Sequence, residues 1–113
     1  EYRPLSIQRK MWRQTPNEQF VADPEKEPHH PRAAAVDCTL VDEHSRQLRM
    51  PTPFDEFSPR AFRSSDQHRP EAHKNMLTME RAMADAGFIP APTEWWHFTD
   101  PDWKQYPILD IPI

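Results

Sequence analysis

FIPAPTEWWHF, residues 88–98, is the stretch on which the reading of this chain turns. Pro90 and Pro92 stand two apart, and a proline inside a helix removes a donor and clashes with the preceding turn. A helix just ahead of Glu94 is excluded, and the aromatic run that follows reads as a strand. The same run carries chemistry, because Glu94 and His97 lie among Trp95, Trp96 and Phe98. In a regular strand, residues three apart point to opposite faces. Glu94 and His97 therefore share a site only if Glu94 precedes the strand, bent by Pro92, or if a bulge re-aims it. Aromatic neighbours would raise the pKa of Glu94 by desolvation and suit it to accept a proton. For Trp95 and Trp96 themselves, core packing is the plainer reading.

Working outward, Pro70 to Ala86 is the best helix in the chain. Met76, Met79, Ala82, Met83 and Ala86 repeat at helical spacing, Glu71 lies in the first turn, and Gly87 stands where a left-handed C-cap belongs. Residues 4–14 read as a shorter helix, opened by Pro4 and stopped by Pro16, with Ile7, Met11 and Trp12 on one face. Between the two helices, 17–32 is a polar, proline-rich loop containing His29 and His30. AAAVDCTLV, residues 33–41, reads as a strand, with Val36, Cys38 and Leu40 to one side and Asp37, Thr39 and Val41 to the other. A polar turn at 42–46 leads to a returning strand, QLRM. PTPFDEFSPRAF is loop, and the tail, PDWKQYPILDIPI, is an irregular apolar segment expected to pack back on the domain. Together these elements describe an α+β fold with a small antiparallel sheet flanked by helices.

The composition narrows the function classes. At 113 residues the chain suffices for one modest domain, and an aromatic content of 11% argues for a real core. A net charge of −4 without any Lys/Arg-rich run gives no reason to expect nucleic acid. No apolar stretch approaches the roughly 20 residues of a membrane helix. The single cysteine, Cys38, excludes an internal disulfide framework. Glycine occurs once and proline fourteen times. Turns with positive φ must therefore use Asn, Asp, Ser or His, or carry strain. The chain opens on Glu1 with no signal-like segment, which reads as part of a longer product.

A catalytic zinc takes three N, O or S ligands and keeps one position open. His30, Asp37 and His97 could supply two nitrogens and an oxygen. An unpaired carboxylate within the apolar strand would be costly, so Asp37 needs a partner, either a metal or an arginine. His30, taken alone in a polar loop, reads equally as a solvated imidazole.

The motifs carry a resemblance. Residues 28–37, Pro-His-His-Pro-Arg-Ala-Ala-Ala-Val-Asp, resemble S-x-H-x-x-G-x-A-x-D, the zinc motif of the D-alanyl-D-alanine dipeptidases and related cell-wall peptidases. EWWHF looks like the second signature of the dipeptidase branch, the type known from vancomycin resistance. Glu1-Tyr2-Arg3-Pro4 looks like its Y-R-P segment, and PFDEF at 53–57 also matches. The four matches stand in the family's order and cover essentially the whole chain. A further family segment upstream of Y-R-P has no counterpart here, so residues 1–113 are expected to form the C-terminal portion of a single zinc dipeptidase domain with the hedgehog/DD-peptidase-like fold.

The resemblance implies that His30, Asp37 and His97 bind one Zn²⁺, that Glu94 is the general base and later acid, and that Arg3 stabilises the oxyanion. It also implies that Asp55 receives the ammonium group of a dipeptide. The expected activity is zinc-dependent hydrolysis of D-alanyl-D-alanine or a similar small dipeptide in peptidoglycan metabolism. The expected compartment is the bacterial cytoplasm ahead of the periplasm. Pro28 replaces the motif's serine, and Ala33 its glycine; relatives also tend to have glycine near 42–46 and at Pro51. These departures motivate an alternative, a catalytically impaired zinc- or peptide-binding domain on the same fold. A carboxypeptidase or endolysin acting on longer peptides is disfavoured by Asp55 and by the EWWHF form.

Overall fold

Prolines set where each helix begins. Pro4 ends the extended N-terminal residues, and helix α1 follows over Leu5–Gln14. Pro70 opens the first turn of α2, which runs Pro70–Asp85. A missing N–H costs nothing there, because the first turn has no intrahelical acceptors for it. Helix α2 stops as expected: Gly87 has φ +93°, and the N–H groups of Gly87 and Phe88 fold back to the carbonyls of Ala84 and Met83. The computed structural model describes all 113 residues.

The strands are shorter than the sequence suggests. β1 is Ala35–Asp37, β2 is Ile89–Pro90 and β3 is His97–Thr99, forming a three-stranded antiparallel sheet in the order β1-β3-β2. The expected strand over 33–41 thus keeps only its middle. Beyond Asp37 the chain leaves the sheet and returns through a narrow hairpin. There Val41 bridges Gln47 and the Asp42 N–H bonds the Arg46 carbonyl at 2.8 Å. Trp95 and Trp96 are not in the strand but in the turn leading into it.

The chain divides into two compact units, residues 1–36 with 99–113, and residues 37–98. In the first unit, α1 buries Gln8 rather than Ile7, which is exposed. Gln8 is only 2% accessible. Its amide is satisfied, donating to the Ala22 carbonyl at 2.8 Å and accepting from Arg3 Nη1 at 3.0 Å. Hydrophobic spacing alone could not find that contact. The tail does pack back. Leu5 N–H bonds the Leu109 carbonyl, Leu109 N–H bonds the Pro31 carbonyl, and the Asp110 carboxylate accepts from Ser6 N–H at 2.8 Å. Asp110 thereby supplies the cap that Pro4 cannot, and the Ser6 bonds hold its carboxyl below the usual range.

In the second unit the core is Met50, Ala61, Ala72, Met76, Met79, Trp95, Trp96 and Phe98. Trp95 and Trp96 meet edge to face, with centroids 5.3 Å apart, and the Trp95 indole donates to Thr52 Oγ1 at 2.9 Å. An aromatic ring that buries on the order of 200 Å² contributes about 5 kcal/mol before entropy is counted. The apolar face of α2 is shorter than expected. Ala72, Met76 and Met79 are buried, but Ala82 and Ala86 lie at the surface.

Candidate functional site

β1 and β3 place the first two candidates. The Cys38 N–H bonds the Trp96 carbonyl at 3.0 Å, and the Asp100 N–H bonds the Ala34 carbonyl at 2.8 Å. That register sets Asp37 opposite His97 at a position without direct ladder bonds, where cross-strand side chains approach most closely. Asp37 Oδ1 and His97 Nδ1 are 3.1 Å apart. The Asp37 side chain is only 4% exposed. The His97 imidazole is thus one partner of this carboxylate.

His30 begins a short 3-10 turn over His30–Arg32 and is buried, so the solvated reading of this residue does not hold. Its Nδ1 faces the Glu1 carbonyl at 3.2 Å. A carbonyl can only accept, so Nδ1 carries a proton, and in the neutral imidazole that leaves Nε2 as the nitrogen able to ligate. Ligating histidines characteristically hold their second nitrogen in this way. His30, Asp37 and His97 each offer one ligand atom, all within 4.8 Å of one another. Two neutral nitrogens and one carboxylate oxygen match the donor set of a catalytic zinc. On geometry and on donor chemistry, the residues fit the metal.

Ala33 ends the 3-10 turn with φ 54° and ψ 26°. This is the left-handed conformation that glycine adopts without penalty and alanine does not. Glycine scarcity therefore leaves measurable strain between two candidate ligands. The other positive-φ positions outside Gly87 are Ser45 and Asp55, and of these aspartate is a residue type that tolerates the region better.

Glu94 resolves its geometric difficulty by preceding the strand. The His97 N–H turns back to the Glu94 carbonyl at 3.4 Å, and Glu94 Oε2 lies 3.6 Å from His97 Nδ1. The tight turn brings to one side two residues that a regular strand would separate. Glu94 is buried beside Trp95 and Trp96.

Arg3 is tied to His30 through its backbone, N–H to carbonyl at 3.1 Å, while its guanidinium is oriented by Gln8. Asp55 lies exposed in the loop before Phe57, with φ 61°. The adjacent Phe54 ring packs on Trp96 with centroids 5.5 Å apart. Burial and then the Asp37 charge push the Cys38 thiol up, which disfavours the thiolate form.

Two contributors escaped the sequence. Gln8 sits among apolar-spaced residues and looked like helix surface. Arg63 lies in the run RAFRSSD, which carries no motif; it donates to the carbonyls of Ala91 at 2.6 Å and His97 at 3.2 Å.

A profile of the peptidase family described as D-ala-D-ala dipeptidase matches residues 1–110. The chain is 37% identical over 108 residues to the D-alanyl-D-alanine dipeptidase of Escherichia coli, covering 96% of this chain and 56% of that protein. It is 34% identical over 86 residues to a D-alanyl-D-alanine dipeptidase of Synechocystis sp., covering 66% of this chain and 35% of that protein. The chain thus spans about half, or less, of the length of these relatives.

Proposed function

The chain belongs to the D-ala-D-ala dipeptidase family, and from that premise we propose that it hydrolyses D-alanyl-D-alanine or a similar small dipeptide with zinc. The observation that carries the reading is the convergence of His30, Asp37 and His97, with Glu94 beside His97. A zinc ion held by those three residues would polarise the scissile carbonyl and acidify a water.

The remaining roles fall to the chain's own groups. Glu94 takes the proton of the attacking water on a carboxylate oxygen and returns it to the leaving amine. Its buried position keeps bulk water from competing for that proton. Arg3, aimed by Gln8 and tied to His30, offers fixed, permanently charged donors to the developing oxyanion. Asp55 supplies a counter-charge for the substrate's ammonium group, which selects dipeptides over acylated or longer peptides. The product chemistry suits peptidoglycan metabolism, in the bacterial cytoplasm ahead of the periplasm.

The strained Ala33 and the buried Pro28, where the family motif has glycine and serine, favour a second reading: a zinc- or peptide-binding domain with impaired turnover. Metal analysis of the purified chain, combined with a D-Ala-D-Ala hydrolysis assay, separates the two. Stoichiometric zinc with hydrolysis supports the enzyme, and stoichiometric zinc without hydrolysis supports the binding domain. Absence of both would remove the proposal.

A further inference from the structure

The turn that unites Glu94 with His97 departs from sheet geometry at one point. At a hydrogen-bonded position of an antiparallel pair the two opposed residues exchange two bonds, each N–H to the other's carbonyl. Ala91 and His97 make the first of these, from Ala91 N–H to the His97 carbonyl at 3.0 Å. In place of the return bond, the His97 N–H closes onto Glu94. The Ala91 carbonyl is taken instead by Arg63 Nε at 2.6 Å, while Arg63 Nη2 reaches the His97 carbonyl at 3.2 Å. One guanidinium thus stands in for a backbone donor at the edge of the candidate metal ligand.

Arg63 is itself held on every side. Its side chain is 10% exposed, its Nη1 pairs with Glu80 of α2 at 3.3 Å, and its guanidinium carbon lies 4.6 Å from the centre of the Phe98 ring. Its backbone N–H also bonds the Pro92 carbonyl at 2.9 Å. A buried charge with this many fixed partners is costly to assemble and costly to disturb. A surface strut would not need it.

We infer that Arg63 is a positioning residue: its planar fork replaces the missing ladder bond and so frees the His97 N–H to make the turn that sets Glu94 beside His97. The metal consequence rests on the function proposed above, whereas the backbone consequence stands without it. Lysine is a poor substitute, because a single ammonium lacks the fork that spans two carbonyls while pairing with Glu80.

Zinc affinity measured by chelator competition tests the first consequence. Arg63→Ala should weaken zinc about 10- to 100-fold, as loss of groups that orient ligands typically does. Added guanidinium ion should restore part of that loss, and Arg63→Lys should not match the parent. Amide hydrogen exchange on the zinc-free chain tests the second, with altered exchange at Ala91 and at His97, whose N–H can then return to the vacated Ala91 carbonyl, and no change at Met76 and Met79. If Arg63→Ala does not fold, Arg63→Lys and Glu80→Gln carry both measurements. Unchanged zinc affinity with only a lower unfolding midpoint would overturn the inference, as would unchanged exchange at Ala91 and His97. A parent that binds no zinc would instead sink the function proposed above, leaving the exchange experiment to decide the role of Arg63.

Discussion

Asp37 and His97 face each other across adjacent strands with Oδ1 and Nδ1 3.1 Å apart, although 60 positions separate them in the chain. A carboxylate buried to this degree is tolerated only with a partner. The His97 imidazole is one such partner, and both groups carry donor atoms of the kind zinc takes. Asp37, His97 and His30 each offer one candidate ligand atom, all within 4.8 Å of one another, and the proposed zinc site rests on that grouping.

One zinc per chain is the first expectation. His97→Ala and Asp37→Ala should each abolish stoichiometric zinc in elemental analysis, because two ligands cannot hold a catalytic ion tightly. Stripping zinc from the parent with a chelator should lower its melting temperature. Ligand at 100 times its dissociation constant contributes about 2.7 kcal/mol to the folded state. One tightly held zinc in the His97→Ala variant would show the ligand assignment to be wrong.

Glu94→Gln should retain zinc and fold yet lose roughly 10²- to 10⁴-fold in kcat, since an amide keeps the shape but cannot accept the proton. Arg3→Ala should also retain zinc, at a rate cost on the order of 3 kcal/mol. The Arg3 variant should bind a phosphinate mimic of the tetrahedral intermediate less tightly than the parent. Undiminished turnover in Glu94→Gln would exclude Glu94 as the base.

Asp55 should govern the need for a free amino terminus. Asp55→Ala is expected to impair cleavage of a dipeptide far more than cleavage of its N-acetylated form, because only the former carries a charge to lose. Comparing kcat/KM on the two substrates decides the matter. Equal losses would leave Asp55 without this role.

Ala33→Gly should stabilise the fold. Left-handed backbone costs an L-residue roughly 1–2 kcal/mol, and glycine's larger unfolded-state entropy returns about 0.5–1 of it. A net gain of about 0.5–1 kcal/mol should appear in urea unfolding. Ala33→Val should move the midpoint the other way, since a β-branched residue fits this conformation worse.

Thr52→Val should cost about 1–3 kcal/mol, the penalty for leaving the buried Trp95 indole N–H without its acceptor. Thr52→Ser keeps the hydroxyl and should lose much less. Equal destabilisation in both variants would show that methyl packing, not the hydrogen bond, is what Thr52 supplies.

Much of this protein was legible in its sequence because the governing forces act locally. Pro4, Pro16 and Pro70 bound the helices through their own rings, and Gly87 marks the end of α2 because its φ of +93° is open to glycine at no steric cost. The shortage of glycine foretold strain, which appears at Ala33. The motif residues named the candidate ligands, and the order of the motifs pointed to the family that the comparisons show.

Tertiary structure decided what local preference could not reach. Asp110 caps α1 from 104 residues away, and Gln8 is buried because Arg3 and the Ala22 carbonyl satisfy it. Glu94 meets His97 only because the strand begins late, with Arg63 filling the carbonyl that His97 leaves. Each of these contacts joins polar groups whose desolvation is repaid only by a partner brought from elsewhere in the chain. Sequence pattern records which groups a segment owns; packing alone decides which of them meet.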